Sequence, residues 1–208
     1  VDDAAAVTPP PGCELVLKTD AIVGGIHFFE NDPADVVAQK ALRVNLSDLA
    51  AKGATPLGFL LSIALPKGIS ESWLAALSEG LKRDIAQFNC PLFGGDTVRS
   101  PGPVMISVTV IGSVPTGKMV KRGGAQVGDR VVVTGTIGDA ALGLKLRQDE
   151  NAAGRWKLDA AMREHLAARY LVPQPRNALA EVLRGFVHGG MDVSDGLAGD
   201  LAKMCRAS

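Results

Sequence analysis

Five short segments of this 208-residue sequence put an aspartate in a setting rich in small or hydroxylic residues. They are Asp2-Asp3, Thr19-Asp20, the stretch Lys40–Ala54 with Asp48 as its only acid, Gly94-Gly95-Asp96, and Asp192-Val193-Ser194-Asp195-Gly196. Any one of them has an ordinary explanation, because Asp and Gly both favour turns and caps. The repetition is what carries weight: a strand or helix ends, a Gly, Ser or Thr pair follows, and a carboxylate is exposed there. Hard divalent cations take oxygen ligands, and Mg²⁺ combines one or two carboxylates with substrate phosphates. Carboxylates gathered in one cleft repel each other, by about 4 kcal/mol for two charges ~4 Å apart at an effective dielectric near 20. A bare triphosphate could not approach such a cleft. Cations must mediate, so the pattern points to a metal-assisted nucleotide site organised around Asp48.

The sequence offers no matching set for covalent catalysis. It contains no G-x-S-x-G elbow, and His27, His165 and His188 have no evident Ser or Cys partner. A carboxylate-rich, base-poor site suits an acceptor that is already an anion. A phosphate monoester has a second pKa near ~6 and needs no strong base at neutral pH.

The elements that must position these residues follow from periodicity and punctuation. Glu14–Thr19 alternates as a strand and delivers Asp20 to its end. Gly24-Gly25 bends the chain ahead of His27, which reads equally well as a packed residue or a ligand. Asp32-Pro33 marks a helix start, with Asp as the cap and Pro at the first helical position. Val37, Ala41 and Val44 give the helical stripe, and Gly53 with Pro56 stops it, leaving Asp48 in the last turns. A carboxylate there opposes the helix dipole by about 0.3–1 kcal/mol, which a neighbouring cation would relieve.

Gly58–Leu65 is apolar on both faces, as in a buried strand or one covered by a partner chain. Ser70 caps a second helix whose packing stripe is Leu74, Leu77, Leu81, Ile85 and Phe88. Leu92-Phe93 is read as a short strand into Gly94-Gly95-Asp96-Thr97, and Val104–Val114 as a long one. Residues 1–115 therefore form an α/β layered domain, and the polar stretch Pro115–Asp129 is the boundary to a second domain over 116–208. In that second part Arg130–Gly135 and Gly190–Val193 read as strands. Helices are expected through Leu146, over Leu158–Tyr170, over Asn177–Gly185 and over Leu197–Arg206. Thr136-Ile137-Gly138-Asp139 has the form of a phosphate-gripping turn but lacks the Gly-Lys-Ser/Thr ending of a P-loop. The opening at Val1 without Met implies residues upstream, and the last helix completes no sheet, so the second α/β domain is expected to be only partly present.

Composition narrows the classes. The chain is 47% hydrophobic and 21% charged, with 22 basic and 22 acidic residues and aromatics at 4%. Zero net charge and few aromatics argue against nucleic acid as a partner. The longest apolar run, Phe59–Leu65, is far short of the ~20 residues of a membrane span. Cys13, Cys90 and Cys205 are scattered and form no CxxC, which fits a reducing cytoplasm.

The segments DDAAAV, KTDAIVGGIHF, KALRVNLSDLAAKGA, FGGDTVR, KRGGAQVGDRVVVTGTIGDAALGL and MDVSDG, in this order, resemble the thiamine-monophosphate kinases. Those enzymes share a superfamily with aminoimidazole ribonucleotide synthetase and selenophosphate synthetase. The resemblance runs from Asp2 to the end. It implies ATP-dependent phosphorylation of thiamine monophosphate to thiamine diphosphate, with direct in-line transfer assisted by several Mg²⁺. It also implies Asp3, Thr19, Asp20, Asp48, Asp96, Asp192 and Asp195 as Mg²⁺ ligands, with Asp48 and Asp96 at the catalytic centre. Gly95, Asp96, Arg122 and Ser194 are the implied ATP contacts, and His27 the substrate-side histidine. Lys18 stands where many members of that family carry Ser. The family is homodimeric, with N-terminal mixed sheets pairing into a barrel. It also carries a lead-in before the Asp pair and a C-terminal portion that grips the thiamine. A synthetase of the same superfamily would show a DGVGTK-like stretch and GGET, where this chain has TDAIVGGIHF and GGDT. The alternative outside catalysis is a dimer that binds Mg-nucleotide without turning it over.

Overall fold

The computed structural model describes residues 4–208. Its sheet is built from β1 (Cys13–Val23), β2 (Thr55–Leu65), β3 (Leu92–Arg99) and β4 (Met105–Pro115), in the spatial order β1-β4-β2-β3. β4 is antiparallel to both β1 and β2, while β2 and β3 run parallel, so the sheet is mixed as expected. The 55–65 strand is longer than its apolar run suggests, with a register shift between Pro56 and Gly58. β3 runs straight through Gly94-Gly95-Asp96-Thr97 to Arg99, beyond the short Leu92-Phe93 strand the sequence suggests. The reason is local: an added Cβ on Gly95 would run into the backbone carbonyl of Leu61 on β2, so glycine is what permits this close parallel pairing.

One face of the sheet is covered by α1 (Ala34–Ala51) and α2 (Glu71–Phe88). Val16, Ile22, Phe59, Leu61, Ile63, Ile106, Val108 and Val110 point into that layer. α1 is the central element, buried on nearly every side, Lys40, Arg43 and Asn45 included. Its end is a Schellman motif: Gly53 N donates to Ala50 O, Ala54 N donates to Leu49 O, and Gly53 has φ +69°. Its start differs from the expected Asp32 cap. Pro33 occupies the cap, while the Asp32 carboxylate turns back to accept Phe29 N at 2.9 Å and to pair with Arg147 at 2.5 Å.

Ser70 caps α2 as expected, accepting Trp73 N at 3.1 Å. Leu77 and Leu81 are buried, but Leu74 lies one turn early on the stripe and stays exposed. The two helices are locked by a buried fork. Arg43 Nε donates to Asp84 Oδ2 at 2.7 Å and Arg43 Nη2 to Asp84 Oδ1 at 2.8 Å. Gln39 also donates to Asp84, at 2.8 Å. Such a pair fixes geometry more than it adds stability. The other face of the sheet is open, with Leu15, Leu17, Leu60, Val98 and Met105 exposed on it.

Residues 116–208 hold helices α3 (Asp139–Gln148), α4 (Ala152–Arg155), α5 (Ala160–Leu171), α6 (Ala180–Phe186) and α7 (Leu197–Ala207), with a 3-10 turn at Asn177–Leu179 before α6. The strands expected at 130–135 and 190–193 do not form. A strand needs a neighbour to bond, and among the described residues this half supplies none; Val131 and Val132 are exposed. Among the described residues, no helix is long and apolar enough to cross a membrane.

Candidate functional site

Alternation along β1 puts Lys18 and Asp20 on the same face as buried Val16 and Ile22, the face α1 covers. The strand expected to end at Thr19 runs on to Val23, so Asp20 lies within β1 rather than at its end, and Asp48, in the last turn of α1, meets it through Lys18. Lys18 Nζ sits between the two carboxylates, 3.0 Å from Asp48 and 3.2 Å from Asp20. Burial lowers the Lys18 pKa, but hydrogen bonds to Asp48 and Asp20 outweigh it, so the ammonium is held more firmly charged than usual.

A third carboxylate arrives from the far end of the chain. Asp192 is pushed up to about 6, first by burial and then by the negative charge of Asp48, with which it also shares a hydrogen bond; Lys18 opposes the shift. Two carboxylates at hydrogen-bond distance cannot both be comfortably ionised. Lys52 completes the group. Its ammonium is lowered by burial and by Arg122, and supported by Asp48 and Asp192. It donates to Gly190 O at 2.9 Å, which fixes the segment carrying Asp192 against the end of α1. The structure thus brings Asp20 and Asp48 together on Lys18, with Asp192, Lys52 and Arg122 close enough to act by charge.

The remaining expected site residues lie elsewhere. Thr19 points to the opposite face of the sheet from Asp20, because neighbours along a strand alternate. Its hydroxyl donates to Val108 O at 3.2 Å and accepts from Thr109 Oγ1 at 3.0 Å. Gly95 and Asp96 are on β3, at the other edge of the sheet from β1, where Asp96 accepts Thr97 N at 2.8 Å. His27 is exposed at the turn after β1, and its Nδ1 accepts Val23 N at 3.0 Å, leaving Nε2 to carry the proton and face outward.

Ser194 and Asp195 belong to a loop wrapped around buried Asp200, which accepts both of their backbone N–H groups at 2.9 Å. Lys203 pairs with Asp195 at 2.5 Å and with Asp200 at 2.8 Å. Asp3 lies outside the described residues. The turn at Thr136–Asp139 is closed by its own acid: Asp139 accepts from Thr136 and pairs with His165 at 2.8 Å, which sets a negative charge at the start of α3 where a phosphate would have to sit.

Among the described residues, no three acidic, His or Cys side chains close on one point as a finished metal cage. The donor chemistry nevertheless fits a hard divalent cation. Asp20 and Asp48 already hold a positive group between them, and Asp192 is strained as an anion beside Asp48. Lys52, Asp200 and Lys203 were missed in the sequence because an ordinary helical lysine or aspartate carries no spacing signal. The one available hint for Asp200 was its place five residues beyond Asp195.

Among curated relatives, the thiamine-monophosphate kinase of Caulobacter vibrioides is 42% identical over the whole chain, which covers 57% of it. That of Escherichia coli K12 is 40% identical, with 62% covered. The chain therefore spans about three-fifths of the length of the curated relatives it matches. The crystal structure of thiamine-monophosphate kinase from Stenotrophomonas maltophilia K279a superposes with a TM-score of 0.89 at 40% identity, covering all of this chain and 65% of that one. A structure of AaThiL complexed with AMPPCP and TMP gives 0.87 at 31% identity, covering all of this chain and 64% of that one. The family models for AIR synthase related protein match residues 1–114 with the N-terminal domain and residues 126–208 with the C-terminal domain. With residues 1–114 and 126–208 both matched, the chain belongs to the AIR synthase related protein family.

Proposed function

We propose that this chain forms the nucleotide- and metal-handling part of a thiamine-monophosphate kinase, transferring the γ-phosphoryl of ATP in line onto thiamine monophosphate to give thiamine diphosphate. The observation that carries the reading is the meeting of Asp20, Asp48 and Asp192 from three distant segments, in a chain 40–42% identical to kinases so named. These carboxylates would hold Mg²⁺, with Asp3, Thr19, Asp96 and Asp195 joining as the resemblance implies. Bound Mg²⁺ supplies charge neutralisation at the transferring phosphoryl group. Lys52 and Arg122 are near enough to feel each other's charge and suit phosphate oxygens. The acceptor arrives as a phosphate anion, so the chain has no need of a general base or a covalent intermediate.

The finer assignments belong to the same proposal. Gly95, Asp96, Arg122 and Ser194 face ATP, and His27, with Nε2 outward, faces thiamine monophosphate. The division falls near residues 115–116. The open sheet face with Leu15, Leu17, Leu60, Val98 and Met105 is the surface a second copy would cover, which supports a homodimer closed into a barrel. The enzyme works in the cytoplasm.

The test is ADP release from ATP with and without thiamine monophosphate. Asp48→Asn is expected to cut turnover at least a hundredfold while thermal unfolding stays close to wild type. Turnover at the wild-type rate would remove Asp48 from the centre, and nucleotide binding without acceptor-dependent ADP would favour the non-catalytic dimer.

A further inference from the structure

The described carboxylates do not lie bare; one of them shares a hydrogen bond with a neighbour, and two share a lysine. We infer that Lys18 is an internal counter-ion, which occupies the bridge between Asp20 and Asp48 and which a divalent cation must displace to bind there. This rests on the reading of Asp20 and Asp48 as metal ligands.

The geometry is specific. Nζ lies 3.0 Å from Asp48 Oδ2 and 3.2 Å from Asp20 Oδ2, so one ammonium meets an oxygen from β1 and one from the end of α1. That is the bridging position two carboxylates offer a metal ion. The Lys18 side chain is 32% exposed, partly inside the site and partly open to solvent. Its four-carbon stem has the freedom to swing the ammonium out when a doubly charged ion arrives. Without metal, the lysine holds β1 and the end of α1 together against carboxylate repulsion. With metal, that restraint is replaced and the ammonium is free to meet a phosphate oxygen. Lys18 thus acts through Asp20 and Asp48, as a positioning residue that sets how tightly the site takes its metal.

The test is calorimetric titration of the full chain with Mg²⁺ alone, on wild type and on Lys18→Met, Lys18→Ser and Lys18→Arg. The Met and Ser variants are expected to bind Mg²⁺ about three- to tenfold more tightly, as fits the loss of one partly exposed competing charge. Lys18→Arg keeps the charge and is expected to stay within about twofold of wild type. In metal-free buffer the Met variant is expected to unfold at a lower temperature than wild type, and to gain more from added Mg²⁺.

Asp48→Asn serves as the control. If it loses Mg²⁺ binding while wild type and Lys18→Met bind equally, the metal reading stands and the role given to Lys18 is wrong. Weaker binding by Lys18→Met also overturns it. If wild type itself takes up no Mg²⁺, the metal reading falls and the counter-ion role falls with it.

Discussion

At the scale of single residues, the buried cation with no carboxylate hydrogen-bonded to it among the described residues is Lys40. Its ammonium is buried in the side of α1, donates to His27 O at 3.1 Å, and lies 3.7 Å from the centre of the Tyr170 ring. Arg147 stacks 4.6 Å from the Phe29 ring centre while pairing with Asp32, so this cluster fixes the loop that carries His27. Burial brings Lys40 down to about 8; Asp32 opposes the shift and Arg147 adds to it. Tyr170 is pushed up, first by burial and then by Asp32. Below pH 8 Lys40 is charged in both folded and unfolded chains, and its full desolvation cost is present. Between about 8 and its ordinary value of 10.5 the folded chain releases the proton first, so this group makes stability rise with pH there. In urea unfolding, wild type is expected to gain about 1–2 kcal/mol relative to Lys40→Met between pH 7.5 and 9.5. A stability difference that does not change with pH would show the ammonium to be solvated. None of this was readable from the sequence, where Lys40 is only the first residue of the Asp48 stretch. Burial of a lysine depends on Phe29, Arg147 and Tyr170 arriving from distant segments.

At the scale of elements, the helices were legible and the strands less so. α1 and α2 announced themselves through Gly53, Ser70 and a repeating apolar stripe, because caps and periodicity are local chemistry. The run Arg130–Gly135 looked like a strand because Val-Val-Val-Thr is rich in β-branched residues, yet strand formation depends on a partner that no local pattern specifies. β3 failed in the opposite sense: the strand reads as ending at Phe93 until the neighbouring Leu61 carbonyl is seen to exclude any side chain at Gly95. Of the acidic site, Asp20 and Asp48 could be paired from strand phase and helix end alone, whereas the place of Asp192 required the whole second half.

Gly80 gives the sharpest test at this scale. It lies mid-helix in α2, where Ala would ordinarily add about 1 kcal/mol. Here an added Cβ would collide with the backbone of Asp35 in the first turn of α1. Gly80→Ala is therefore expected to destabilise the fold by about 1–3 kcal/mol, against its helix propensity. A raised melting temperature would show that the two helices can part freely at this crossing.

At the scale of the whole molecule, the end of α1 is where the two halves meet, and the site depends on that meeting. Lys52 Nζ holds Gly190 O, Lys52 O accepts Val120 N at 3.0 Å, Arg184 donates to Gly53 O, and Asn177 reaches Leu46 O at 3.2 Å. Gly190 is two residues from Asp192, so the approach of Asp192 to Asp48 is set by this docking rather than by any strand. Without the Lys52–Gly190 bond, the segment would keep the backbone link of Gly190 N to Lys121 O at 2.9 Å but lose its tie to the helix. Lys52→Met is therefore expected to speed hydrogen–deuterium exchange across residues 187–193 by about tenfold while leaving 34–51 and 105–115 unchanged. The same variant is expected to lose most of the thermal stabilisation that Mg²⁺ gives wild type, since a carboxylate that is no longer placed cannot share a cation. Unchanged exchange in 187–193 would mean that the turn before Asp192 holds its own shape. Faster exchange throughout the chain would mean that Lys52 supports the core of α1 rather than the junction.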